Sequence, residues 1–154
     1  MKHVMNKDSK TIITNTDQKD IQPNAVDIKL DQVFKIENDT FVIDNNDKTH
    51  RTHVQVHPDK DDWFHLEIGL YQVIMINDIF VGLEEAGWVI TRSTFIRNGC
   101  YLVSGLYDSG YQGPMVSLLH VNCGPIKIKR GTRIGQYLSF SAEMKHTYSG
   151  NYGF

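Results

Sequence analysis

Two groups of residues in the second half of the chain have types and spacing suited to one chemistry. The first is Arg92-Ser93-Thr94 with Arg97, two guanidinium groups beside two hydroxyls. The second is Asp108, set in the run Gly105-Leu106-Tyr107-Asp108-Ser109-Gly110-Tyr111-Gln112-Gly113. From Gly87 to Gln136 every charged side chain other than Asp108 is basic: Arg92, Arg97, Lys127, Lys129, Arg130 and Arg133. A lone carboxylate among cations and glycine-bordered turns suits a polyphosphate substrate attacked by a water that one general base activates. Arg offers a phosphate two parallel N–H donors, a geometry that Lys lacks. Glycine at 105 and 110 lets the backbone curl and leave the carboxylate exposed. Taken singly, each signal has a plain alternative. D-S-G is also an ordinary turn, Tyr111 also a core aromatic, and R-S-T with a separate Arg also a common surface.

The elements that must position these groups read as strands. Ala25–Leu30, Leu70–Ile76, Met115–Val121, Ile126–Lys129 and Ile134–Phe140 alternate or run apolar in short segments, and Pro23-Asn24, Asn122–Pro125 and Arg130-Gly131 supply turns between them. Val33–Ile43 predicts a hairpin with Glu37-Asn38-Asp39 at its tip, followed by a polar loop over Asp44–Lys48. Ile79–Ala86 predicts a strand end and a tight turn, with Glu84-Glu85 solvating a loop, in at most one helical turn. No helical period is sustained, so the expected fold is all-β with little helix: a sandwich, a jelly roll or a distorted barrel. At 154 residues the chain fits one domain. A polar arm is expected over 1–22, the β domain over 23–140 and a polar, aromatic tail over 141–154.

Composition excludes several classes. A net charge of −2 argues against a general nucleic-acid binder. No apolar run could span a bilayer, and the polar N-terminus shows no signal core. A cytoplasmic protein, or one of the host cytoplasm if a virus encodes it, is therefore expected, with no nucleic-acid or membrane partner. Cys100 and Cys123 read as two reduced thiols. His50, His53, His57 and His65 raise the question of a metal, but their spacing fits no closed site and a solvated strand face is expected.

The same residues carry a family resemblance. G-L-Y-D-S-G-Y-Q-G resembles the third motif of trimeric dUTP diphosphatases. R-S-T-F-I-R-N-G resembles their second, in the variant with a distal Arg shared with dCTP deaminases. I-Q-P-N-A-V-D-I-K-L resembles the first motif, with Asp27 at its acidic position, and R-G-T-R-I-G-Q the fourth, ending in Gln136. The resemblance implies a β-barrel of the dUTPase type, a homotrimer, and hydrolysis of dUTP to dUMP and pyrophosphate with Mg²⁺. It implies Asp108 as base and Tyr111 packed on the deoxyribose. The stretch Leu102–Gly105, including Ser104, would read uracil through its main chain. Arg92, Ser93, Thr94, Arg97, Arg133 and Gln136 would hold the phosphates, and Asp27 would act from the outer shell of the Mg²⁺ through water.

Two departures weigh in opposite directions. The tail Y-S-G-N-Y-G-F resembles the Y-x-G-x-Y tail of the deaminases, so Tyr148 and Tyr152 are expected to close a neighbouring subunit's site. Deaminases, however, need a Glu at the fifth position past Gly113, and that position is Leu118, which cannot move a proton. His120 shares its face but lies about 6–7 Å further along, and could substitute only through a bulge. The preferred reading is dUTP hydrolysis in a deaminase-like frame. Deamination of dCTP, alone or joined to dUTP hydrolysis, and nucleotide binding without turnover are the alternatives.

Overall fold

In the long strands, buried and solvent-facing side chains alternate almost without a break, the signature of a sheet with one face on a core. The computed structural model describes residues 8–154. In chain order the elements are β1 (Ile12–Ile13), a 3-10 turn (Gln18–Asp20), β2 (Val26–Ile36), β3 (Val42–Ile43), β4 (Lys48–Thr49), β5 (His53–Val56), β6 (Trp63–Leu66), β7 (Gly69–Phe80), β8 (Glu85–Thr91), α1 (Ser93–Ile96), β9 (Cys100–Val103), β10 (Gln112–Val121), β11 (Ile126–Lys129) and β12 (Arg133–Ser141). The main sheet runs β8-β12-β2-β7-β10-β9, with β1 beside β7 and β5 beside β2, while β6–β11 and β3–β4 form separate pairs. Ile28, Leu30, Val33, Met115, Leu119, Ile134 and Tyr137 fill the core. No helix among the described residues is long and apolar enough to cross a membrane.

The two edge strands of this sheet face each other, and hydroxyls help to stitch them. Thr91 Oγ1 accepts from the Leu102 amide at 2.8 Å and donates to the Leu102 carbonyl at 3.0 Å. Ser104 Oγ accepts from the Val89 amide at 2.8 Å, and Gly87 and Tyr107 exchange both backbone bonds. The sheet is thereby an almost closed, all-β barrel, and its edges are satisfied rather than left open to other chains.

Three local expectations are corrected. Val33–Ile43 is no hairpin: β2 runs on to Ile36 and pairs with β5, Val33 opposite Val56 and Ile36 opposite His53. Residues 37–52 form an excursion instead, closed at its base where Glu37 N donates to Thr52 O and Thr52 Oγ1 donates to Asp39, both at 2.9 Å. Its tip is Asp44–Asp47, where Asp44 Oδ1 accepts the amides of Asn46 and Asp47. Glu84-Glu85 makes no helical turn, since Glu84 is left-handed at φ 60° and Glu85 opens β8. Glu85 does not solvate a loop either. It is 2% exposed, and its carboxylate accepts from Ser9 Oγ, the Lys10 amide, and the amide and hydroxyl of Thr11. Of the arm expected over 1–22, residues 1–7 lie outside the described residues; Ser9–Thr11 bind Glu85, and β1 lies against the end of β7, Ile12 opposite Phe80.

Candidate active site

Asp27 and Gln136 are direct partners across β2 and β12. The Asp27 carboxylate is fully buried and every approach to it is taken. Gln136 Nε2 donates to it at 3.0 Å and Gln22 Nε2 at 3.2 Å, while Arg92 Nε stands at 3.6 Å and Arg133 Nη1 at 3.5 Å. A buried carboxylate without such partners would cost several kcal/mol, roughly 3–5. Two guanidinium groups share this one negative charge, so the cluster keeps a positive excess that a phosphate can use. Both guanidinium groups are also pinned: Arg92 Nη1 donates to Arg133 O at 3.1 Å, and Arg133 Nη1 to Lys19 O at 3.0 Å. A cleft of about 510 Å³ opens beside them, lined by Lys29, Arg92, Thr132 and Arg133 and by Asp17 and Asp20, the two carboxylates that Lys29 pairs with. Ser93, Thr94 and Arg97 sit on α1 and just after it, all exposed. The Arg97 guanidinium has no partner among the described residues.

Asp108 stands on the connection from β9 to β10, and the residues around it are tied down. Tyr107 pairs with Gly87 and its ring is buried, with Oη bonded to the backbone of Val116. Ser109 Oγ donates to Glu85 O at 2.6 Å, Gly110 N to Val81 O, and Tyr111 N to Asp108 O. Held on both sides, Asp108 itself is exposed, and its carboxylate has no partner among the described residues. It faces a cleft of about 480 Å³ with Ala86, Phe140, Lys145 and Tyr148 on the walls. Tyr111 is buried with Oη donating to Pro114 O at 2.9 Å, and lines a neighbouring cleft of about 350 Å³ with Gly105, Tyr148 and Tyr152. Burial pushes the phenols of Tyr107 and Tyr111 up, so both remain donors.

The tail docks on this same turn of its own chain. Tyr148 N donates to Ser109 O at 2.9 Å and Phe154 N to Gln112 O at 2.7 Å, and the Tyr148 ring meets Tyr111 edge-on at 5.1 Å. Glycine is required at 153, because a Cβ there would stand 2.5 Å from the Gln112 carbonyl oxygen.

The sequence-predicted residues therefore fall into two groups. Asp27, Arg92, Arg133 and Gln136 form one, with Ser93, Thr94 and Arg97 on the adjoining helix. Asp108, Gly105, Tyr111, Tyr148 and Tyr152 form the other. Ser109 touches Glu85 at the start of β8 and Arg92 follows Thr91 at its end, which separates the groups by about 20 Å along a seven-residue strand. Leu102 and Ser104 lie in the barrel-closing seam, and the Leu102 amide is already taken by Thr91. Three contributors escaped the sequence reading: Gln22, the Lys19 carbonyl and Thr91. Gln22 sits inside the motif that carries Asp27, and its place there is the available signal.

β10 keeps unbroken alternation from Gln112 to Val121. The register irregularity opposite Met115 takes its extra residues from β7, since Pro114 faces Asp78 and Val116 faces Ile74. Leu118 thus stays on the outward face, in a cleft without a carboxylate, and His120 stays one outward position further on, bonded to Tyr101 Oη.

The chain belongs to the dCTP deaminase-like family, whose model matches residues 1–141. Its curated relatives carry a different activity in their names. It is 32% identical over 136 residues to a probable deoxyuridine 5'-triphosphate nucleotidohydrolase of Methanosarcina acetivorans, across 86% of this chain and 80% of that one. It is 29% identical over 147 residues to the deoxyuridine 5'-triphosphate nucleotidohydrolase of Methanocaldococcus jannaschii, across 94% of each. Among solved structures, the 2'-deoxycytidine 5'-triphosphate deaminase from Agrobacterium tumefaciens shares the fold, with a TM-score of 0.63 at 18% identity over 84% of this chain and 43% of that one.

Proposed function

We propose that the protein hydrolyses dUTP to dUMP and pyrophosphate as a homotrimer, each site joining the Asp108 end of one chain to the Arg92–Arg133 end of a neighbour. One observation carries this reading. Among the described residues, the tightly held Asp108 turn with its partnerless carboxylate and the pinned guanidinium cluster lie about 20 Å apart in one chain, and a second copy would bring them together. Exposed apolar side chains on the outward sheet face and beside the Asp108 turn, Leu70, Val103 and Leu106, supply surface for such contacts. The names of the relatives support the substrate.

In this reading Asp108 takes a proton from a water as its oxygen attacks phosphorus, and pyrophosphate leaves in line. Arg92, Arg133, Arg97, Ser93 and Gln136 neutralise and orient the phosphates, with Thr94 beside them. Tyr111 and Gly105 receive the sugar and base, and Leu102 and Ser104 support that pocket through the seam. Tyr148 and Tyr152 close over the Asp108 of their own chain, and so over a neighbour's phosphate cluster. Magnesium would enter with the phosphates and supply charge neutralisation there. Both Asp27 oxygens are engaged, and the described residues include no cluster of three acidic, His or Cys ligands, so no direct protein ligation is drawn. Asp27 would act on the ion only from its outer shell.

The test is purified protein with dUTP or dCTP and Mg²⁺, scored for pyrophosphate and ammonia. Pyrophosphate from dUTP and no ammonia from dCTP are expected, because Leu118 offers no proton shuttle. Asp108→Asn should lower turnover at least about a hundredfold while still binding a non-hydrolysable dUTP analogue. Ammonia from dCTP, or near-normal turnover by Asp108→Asn, would overturn the reading.

A further inference from the structure

A further cleft lies between α1 and the β6–β11 pair. That pair joins no other strand, and it sends Phe64, Leu66 and Ile128 into the core. Along the seam that remains, Phe95 and Ile126 are only half-buried, and the buried Cys100 also lines it. The cleft has about 360 Å³, enough for a small ring system. Trp63 stands at its wall, with Lys127 Nζ 4.8 Å and Lys129 Nζ 5.8 Å from the ring centre. Neither ammonium has a carboxylate partner among the described residues. Of the acids just before Trp63, Asp59 is committed to His65 at 2.9 Å and Asp62 to Arg130 at 3.6 Å, while Asp61 is exposed and pairs with neither lysine. The Trp63 indole N–H likewise has no acceptor among the described residues.

Two cations resting on an aromatic face, above an apolar slot, are complementary to an anion with a flat apolar body. The body would lie against Phe95 and Ile126, and the acid group would draw the ammonium groups off the indole. Thr94, of the group assigned to the phosphates, lines this cleft, and Thr132 lines both it and the cleft beside Arg92 and Arg133. We propose that the cleft at Trp63 is a second ligand site, which takes an aromatic carboxylate or sulfonate and is separate from the nucleotide site.

Anilinonaphthalenesulfonate is the probe, used on the full chain and on the double variant Lys127→Ala, Lys129→Ala. One bound probe per chain is expected, with affinity at least about tenfold weaker in the variant, the value of one charge-assisted contact. A saturating non-hydrolysable dUTP analogue should bind alongside the probe. Equal affinity in the variant, or displacement by the analogue, would each overturn the proposal. The variant should keep wild-type dUTP turnover, so loss of the probe site is distinguishable from failure of the nucleotide reading.

Discussion

Arg97 and Arg133 carry the same group in opposite circumstances. Arg133 is held by Asp27 and by the Lys19 carbonyl, so its removal would leave a buried carboxylate short of one cation. Arg97 is exposed and has no partner among the described residues, so its guanidinium does nothing there for the fold. Arg97→Ala should therefore leave stability within about 0.5 kcal/mol of wild type, as surface changes away from such features do. Affinity for a dUTP analogue should fall by about 1.5–3 kcal/mol, the worth of a hydrogen bond to a charged group, while deoxyuridine binding is unchanged. Thermal melts and paired titrations check this, and equal losses for both ligands would make Arg97 structural. Arg133→Ala should differ by losing stability as well. The sequence could nominate both arginines because phosphate chemistry needs them. It could not tell the spent one from the free one, because the Lys19 carbonyl lies 114 positions from Arg133.

At the scale of elements, the segment before β2 is tied to the barrel by ions. Lys29 Nζ lies 2.9 Å from Asp20 and 3.3 Å from Asp17. Burial alone would raise the Asp20 pKa, but the Asp17 amide and the Lys29 ammonium outweigh it and hold the carboxyl below its ordinary 3.8. Burial alone would lower Lys29, but the Asp20 and Asp17 carboxylates hold it above its ordinary 10.5. The folded state thus binds fewer protons than the unfolded at Asp20 and more at Lys29. Asp20's contribution is complete above pH 3.8 and is lost as pH falls through its depressed value; that of Lys29 is complete below pH 10.5 and is lost as pH rises through its raised value. A melting profile against pH should therefore fall in acid, and Asp20→Asn, less stable at neutral pH, should lose less of its remaining stability there; a parallel acid limb in the variant would remove Asp20 from the account. The long strands were legible because alternation survives in them. α1 was not, since four residues are too few to show a helical period, and β3–β4 was not, since Asp39 and Thr52 close its base across 13 positions. Glu85 was misread for the same reason, as its partners at Ser9 and Thr11 lie more than 70 positions away.

For the whole molecule, what matters is that β8 separates Asp108 from the Arg92–Arg133 cluster by about 20 Å, a distance no side-chain rearrangement closes. The motifs were legible one by one, but sequence order is silent on which end of a strand faces which copy. A site shared between copies makes a quantitative prediction that a site within one chain does not. Asp108→Asn removes only the base, and Arg97→Ala removes only a phosphate contact. In the proposed homotrimer, either variant alone should be impaired in every site, although each chain keeps one intact half. Refolding the two variants together at equal amounts lets chains mix at random in the closed ring expected of a homo-oligomer. Half of the sites then draw an intact Asp108 from one chain, and half of those meet an intact Arg97 from the next. Activity should return to about one quarter of the wild-type value, above that of either variant alone. If base and phosphate contacts came from the same chain, every site in the mixture would still lack one of them. The mixture would then show only the average of the two parents. Scoring pyrophosphate release before and after co-refolding, with light scattering to follow assembly, decides between the two, and an average value after confirmed mixing would sink the shared site.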